Sequence, residues 1–304
     1  MIPSRHATLS SLLAEQLAVF PEHRNYLERR FAGMSKERFA FAEALAQMVT
    51  RVIGAPVAAY AEDYRWLAHT VIEEEIVFRR TGRYRLSTFA EAEREVYANR
   101  QYMTRYMNGL LMSQLWWRNH TEVMQFFHDV YLPGNSPGFD HLEIGPGHGL
   151  FLCYAALAPN AGDITAWDIS EASIERVQHT FGAVGLDRSV ALRVVDMFDA
   201  PPRQFQSITF SEVLEHLEDP EPALDAIFNL LAPGGRAFIN APVNSPAPDH
   251  LTLFRRPEEI VDLIAAAGFE IVETLFAPTN GCTLKRALEF NLAISTAVIA
   301  KKPG

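Results

Sequence analysis

Leu142-Glu143-Ile144-Gly145-Pro146-Gly147-His148-Gly149 closes a short apolar run and passes at once into a helical pattern over residues 150–158. Closely spaced glycines at a strand end let the backbone turn sharply and approach a ligand, with the free N–H groups of the helix start facing the gap. The spacing separates two uses of such a turn. A dinucleotide fingerprint needs its third glycine five positions after the first, and Leu150 stands there. The pattern is instead Gly-x-Gly-x-Gly, preceded by Glu143. A carboxylate at that tip can meet an ammonium, which nicotinamide cofactors lack.

Outward from this turn, further strand tips carry polar groups. Asp168 lies 23 residues after Gly145 and ends a second apolar run, where a carboxylate can take both hydroxyls of a ribose. Asp196 ends a third run, Val194-Val195-Asp196-Met197, placed to meet an exocyclic amine with Met197 against its ring. Strands are predicted at residues 140–144, 164–167, 191–195, 207–210, 236–240, 270–276 and 294–300. Helices are predicted at 150–158, 171–183, 222–231 and 257–267, with a short one within 280–290. This alternation predicts right-handed crossovers and a mostly parallel sheet.

Residues 133–138, all turn formers, mark a boundary. The chain before it reads as helix after helix. Residues 35–53 place Phe39, Ala42, Leu45, Ala46, Val49 and Ile53 on one face, with Ser35 as cap and Gly54 as stop. A second helix is predicted from 56 to about 80 and a third from Thr88, through 98 and toward 108. Residues 110–132 are apolar nearly all round and predict one long helix docked on the following domain.

The 304 residues are 48% apolar and 21% charged, with a mean hydropathy of −0.02, an ordinary globular balance that excludes wholesale disorder. Residues 1–138 carry a net charge of +1 and residues 139–304 a net −11. The acidic second half repels nucleic-acid phosphates and anionic membranes, which favours a small-molecule partner. Apolar runs are too short and interrupted for a membrane span, and two cysteines make no disulfide framework. A cytoplasmic location is expected.

The set LEIGPGHG (142–149), AWDIS (166–170), VVDMF (194–198), FSEVLEHLEDP (210–220) and LLAPGGRAFI (230–239) closely resembles the class I S-adenosylmethionine-dependent methyltransferases. The resemblance covers about residues 139–302. It implies an α/β fold: a Rossmann-like sheet of seven strands, the last antiparallel beside the sixth, preceded by an all-helical N-terminal domain. Residues 1–135 would form a lid or dimerisation domain and 136–304 the catalytic domain. By resemblance, Glu143, Gly145 and Gly147 hold the methionine end of S-adenosylmethionine. Asp168, with Ile169 beside it, takes the ribose, Asp196 and Met197 the adenine, and Glu212 lines the methionyl pocket.

The expected activity is methyl transfer from S-adenosylmethionine to a small metabolite, aromatic or amphipathic, derived from an amino acid or a natural product. A protein methyltransferase and a non-catalytic binding or assembly module are the alternatives. No nucleic acid or membrane partner is expected, and a homodimer through the helical domain stays open. His250, in the proline-rich loop after the fifth strand, is the candidate general base. Tyr106 is the second candidate catalytic residue. Tyr102, Trp117 and His120 are candidate substrate walls, within a segment from Tyr97 to His120 expected to roof the cleft, with His250 facing it. Glu215-His216 reads as a hydrogen-bonding pair at a helix start. No metal is expected, because no further His, Asp or Glu group stands at ligand spacing.

Overall fold

The computed structural model describes residues 2–200 and 203–304. Its N-terminal helices are α1 (Ala7–Val19), α2 (Arg24–Phe31), α3 (Lys36–Ile53), α4 (Val57–Thr81), the one-turn α5 (Phe89–Ala92), α6 (Arg100–Trp116) and α7 (Arg118–Phe126). The second half runs β1 (Phe139–Ile144), α8 (Leu150–Leu157), β2 (Ala161–Asp168), α9 (Glu171–Val184), β3 (Val190–Val194) and β4 (Phe205–Ser211). It continues through α10 (Glu221–Leu230), β5 (Leu231–Val243), α11 (Pro257–Ala266), β6 (Glu270–Pro278), α12 (Leu284–Glu289) and β7 (Ile294–Lys301).

The strands form one sheet in the order β3-β2-β1-β4-β5-β7-β6. β7 is antiparallel to both neighbours and the remaining pairs are parallel. Strand order reverses between β1 and β4, so the carboxyl ends of these two open the crevice where such sheets bind ligands. This is the Rossmann-like, seven-stranded architecture expected, with helices before it.

Local chemistry accounts for the helix ends. Ser35 Oγ accepts from the Arg38 N–H to open α3, whose apolar face is buried, and α4 stops at Gly82 in the left-handed region. Thr88 and Glu91 complete a capping box at α5. Two expectations need correction here. The helix from Thr88 breaks into α5, a π-helical turn (Glu93–Tyr97) and α6, which Asn99 caps. The helix predicted over 110–132 also breaks, at Trp117, whose backbone is extended. Asn280 fills that break: its Oδ1 accepts from the Arg118 N–H (2.6 Å) and its Nδ2 donates to the Trp116 carbonyl (3.0 Å). A partner some 160 residues downstream replaces the lost helical bonds, so nothing local announces the bend.

The apolar segment does dock on the sheet. Phe127 meets Phe151 and Phe238 edge-on at 5.0 and 5.1 Å, and one core runs continuously from Leu9 through Trp116 to Phe238. The buried Tyr131 hydroxyl bonds Ser207 Oγ at 2.7 Å and donates toward the carbonyls of Ile208 and Arg236. Each such ring withdrawn from water contributes about 1.5–3 kcal/mol. Among the described residues no single helix is long and apolar enough to cross a membrane. The α3–α4 pair passes on length and composition alone, but it bends by 108°.

Candidate active site

The crevice is built from the tips of β1, β2, β3 and β4 and one roof. At the end of β1, Glu143 is buried and its Oε2 has no hydrogen-bond partner. Burial alone raises its carboxyl well above the usual range. Gly145 follows with φ +69°, and a Cβ there would lie 2.8 Å from Val213 Cγ2, so both conformation and space demand glycine. At Gly147, φ +54°, the Met107 methyl stands 3.4 Å from where a Cβ would be, which places α6 directly over the turn.

At the tip of β2, the half-buried Asp168 accepts from the Ser170 N–H (2.8 Å) and from Ser173 Oγ (2.6 Å) at the start of α9. Burial raises its carboxyl, against these bonds. Asp196, exposed, caps the turn of Met197 by accepting from the Phe198 N–H. Ile169 is 63% exposed and Phe198 54% exposed, two bare apolar side chains flanking the two carboxylates. Glu143 is buried while Asp168 and Asp196 open outward, so the crevice grades from dry to wet along its length.

At the tip of β4, Glu212 has φ 56°, an uncommon conformation for a non-glycine residue. Its N–H bonds the Asn240 carbonyl and its Oε1 accepts from Asn240 Nδ2 at 2.7 Å, holding the carboxylate inward. Burial pushes its carboxyl up to about 7. Glu215 is wholly buried, and neither oxygen has a hydrogen-bond partner. The reading of Glu215-His216 as a hydrogen-bonding pair is therefore corrected: Oε1 and the His216 Nε2 stand 3.8 Å apart. So is the expectation that no third ligand-bearing group joins them. The loop after β5 brings His250 Nε2 to 4.0 Å from Glu215 Oε1. The N–H groups of Leu251 and Thr252 both bond the Glu215 carbonyl, and Thr252 Oγ1 bonds that of Leu217, which stitches this loop to the β4 turn.

The roof comes from the segment before α6 and from α6 itself. Tyr106 donates to Asp249 Oδ1 at 2.8 Å and Tyr97 to Oδ2 at 3.3 Å. Tyr102 stacks on Tyr106 and receives the Trp66 ring edge-on. Tyr84 meets His250 at 5.8 Å between ring centroids, and its oxygen accepts from the Ser245 N–H. Burial pushes the His250 imidazole down to about 4, so it is neutral at pH 7.

Tyr102, Tyr106 and His250 thus gather around Asp249. Trp117 and His120 do not join them. Trp117 Nε1 donates to Tyr64 Oη (3.1 Å), while His120 bonds Ser113 and Gln114. Asp249, Tyr84 and Trp66 went unremarked in the sequence. Asp249 directly precedes His250, and that adjacency was the signal available. The other two come from the helical half, whose approach to the site no local pattern encodes.

A sheet with its strand reversal at β1 and β4, a glycine turn at one tip and an unpartnered carboxylate beside it together make a crevice of the nucleotide-binding type. The methyltransferase domain family matches residues 115–274, more than half of the sequence. The chain belongs to this family, the class I S-adenosylmethionine-dependent methyltransferases. It is 27% identical over 164 residues to a ubiquinone biosynthesis O-methyltransferase of Neisseria meningitidis serogroup C (strain 053442), covering 51% of this chain and 63% of that one. A protein of the same description from Xylella fastidiosa (strain 9a5c) is 33% identical over 101 residues, 33% of this chain and 40% of its own. The match thus spans less than two thirds of either relative. Among solved structures, the pyocyanin biosynthetic protein PhzM superposes over 80% of this chain and 72% of its own at a TM-score of 0.54 and 17% identity, a likeness of fold.

Proposed function

We propose that this chain moves the methyl group of S-adenosylmethionine to an oxygen of a small, aromatic acceptor. The observation that carries the reading is Glu143, a buried carboxylate with an unpartnered oxygen at the mouth of the glycine turn. A bare buried carboxylate is costly unless a cation meets it, and the cofactor's ammonium is such a cation. The other residues fit the group equally. Asp168 keeps unused lone pairs for ribose hydroxyls, and Ile169, Met197 and Phe198 offer apolar surface beside Asp196 for a flat base. Glu212 lines the methionyl end.

When bound, the cofactor supplies a methyl carbon made electrophilic by its sulfonium. What remains for the protein is alignment and exclusion of water. Met107 closes over the glycine turn, and the Tyr97–Asp249–Tyr106 bonds hold the roof against the loop of His250. Tyr102 and Tyr106 supply aromatic walls for a ring-bearing acceptor. The oxygen acceptor is supported by the O-methyltransferases among the relatives. Both cysteines are free, which suits a cytoplasmic setting.

The test is incubation of the purified protein with methyl-labelled S-adenosylmethionine and separate panels of phenols, catechols, amines and carboxylic acids. Label should appear on oxygen in the phenol or catechol panel, read by mass spectrometry. Label appearing only on nitrogen or carbon would overturn the acceptor assignment, and no cofactor turnover with any panel would overturn the reading.

A further inference from the structure

Both imidazoles beside Glu215 have their tautomer set by a backbone carbonyl. His250 Nδ1 lies 2.7 Å from the Ser245 carbonyl, and His216 Nδ1 lies 3.1 Å from the Asp249 carbonyl. A carbonyl only accepts, so each Nδ1 carries a proton, and in the neutral ring each Nε2 then presents a lone pair. Those two Nε2 atoms are the ones that face Glu215 Oε1, at 3.8 and 4.0 Å. The two Nε2 atoms and the Glu215 carboxyl group therefore face one another without a hydrogen bond between them. The carboxylate is wholly buried and both of its oxygens lack partners. The arrangement is short of a cation.

From this geometry we propose that Glu215, His216 and His250 bind a divalent first-row transition ion at the tip of β4, next to the glycine turn. The three ligand atoms lie within 4.8 Å of one another. Around a bound ion such atoms stand roughly 3 to 3.5 Å apart, so side-chain rotations of an ångström or so close the site. The support around it is that of a metal centre: each imidazole donates its other N–H to a backbone carbonyl, fixing ring orientation. Mixed imidazole and carboxylate ligands favour a transition ion over magnesium.

Three protein ligands leave coordination positions open, the mark of a catalytic rather than a structural site. The ligand of matching chemistry for those positions is a hydroxyl of the acceptor. This deepens the oxygen-methylation reading and rests on it. The ion would lower the hydroxyl's pKa, and the proton would leave to solvent as the acceptor binds. The oxygen lone pair then forms the new O–C bond, and the electron pair of the broken C–S bond stays on sulfur. In this arrangement His250 is an ion ligand, not the general base that its loop position suggested.

The test strips the full chain with a chelator, then titrates it separately with Mn²⁺, Co²⁺, Zn²⁺ and Mg²⁺ by calorimetry, with metal analysis after desalting. The expected result is one transition ion per chain, held at least tenfold more weakly by Glu215→Gln and by His250→Gln, with Asp168→Ala unchanged. Cobalt bound by the wild-type chain should show the visible absorption of an imidazole-ligated ion, a readout that does not depend on the variants folding. No ion uptake by the wild type, absence of that spectrum, or uptake equal in wild type and both folded variants would overturn the site. Failure of the methyl-transfer reading would show separately, as no binding of S-adenosylhomocysteine by the ion-free protein.

Discussion

The Tyr106 hydroxyl donates to Asp249 Oδ1 over 2.8 Å, joining α6 to the loop after β5 across 143 residues of sequence. Both groups are buried, and Asp249 takes a second bond from Tyr97. One carboxylate thus pins two positions of the roof to the loop that carries His250. The bond lives at the junction of helical half and sheet, so its loss should be felt as misalignment.

Tyr106→Phe keeps the ring and removes that bond. A hydrogen bond to a charged group contributes about 1.5–3 kcal/mol, and Tyr97 still holds the other oxygen, so a stability loss near the lower end is expected. Turnover should fall at least tenfold, more than stability explains. Chemical denaturation alongside initial rates checks this. A destabilised variant with unchanged turnover would make the tyrosine a structural tie only.

Asp168→Ala should weaken binding of S-adenosylhomocysteine at least tenfold through the lost ribose bonds. The same carboxylate also accepts from Ser170 and Ser173, so the ligand-free protein should melt a few degrees lower. Calorimetry and a thermal melt read the two effects separately. Lower melting with full affinity would show that Asp168 serves only the start of α9.

The cofactor-binding half was legible because its signals are local. Glycine spacing, strand-tip carboxylates and alternating apolar runs each need only a few neighbouring residues, and the sheet followed from them together with β7. The helical half was less so. Its caps at Ser35, Gly82 and Thr88 are local and readable, but the bend at Trp117 is held by Asn280 and the roof by Asp249. The convergence of His250 on Glu215 and His216 depends on a loop folding back 34 residues later, a fact of tertiary structure. Wherever the chain closes a long loop with a single polar side chain, a reading of short patterns passes over it.

His141 should make the fold sensitive to acid. It is wholly buried on β1 between Ser207 and Thr209, and burial pushes its pKa down to about 3. Because the folded value lies below the unfolded one, its contribution is fully present above about pH 6.5 and is lost as pH falls toward 3. At pH 5 the loss is about 2 kcal/mol. The drop in unfolding free energy between pH 7 and pH 5 should be smaller in His141→Gln than in wild type by about that amount. Parallel pH profiles would contradict it, and comparing differences removes the opposing effects of the buried carboxylates, which are common to both proteins.

The central claim is that the crevice at β1 and β4 binds S-adenosylmethionine through its ammonium at Glu143. Titration of wild type and Glu143→Gln with S-adenosylhomocysteine, in two buffers of different ionisation enthalpy, tests it most directly. Burial raises the free Glu143 carboxyl well above its usual range, and an ammonium beside it favours the ionised form. Wild type should therefore bind with release of protons over the pH range in which the free carboxyl titrates. Glu143→Gln should bind at least tenfold more weakly without that release, and its ligand-free melting temperature should not fall, since no protein partner is lost. Equal affinity and equal proton release in the two proteins, or no binding by wild type, would contradict the account.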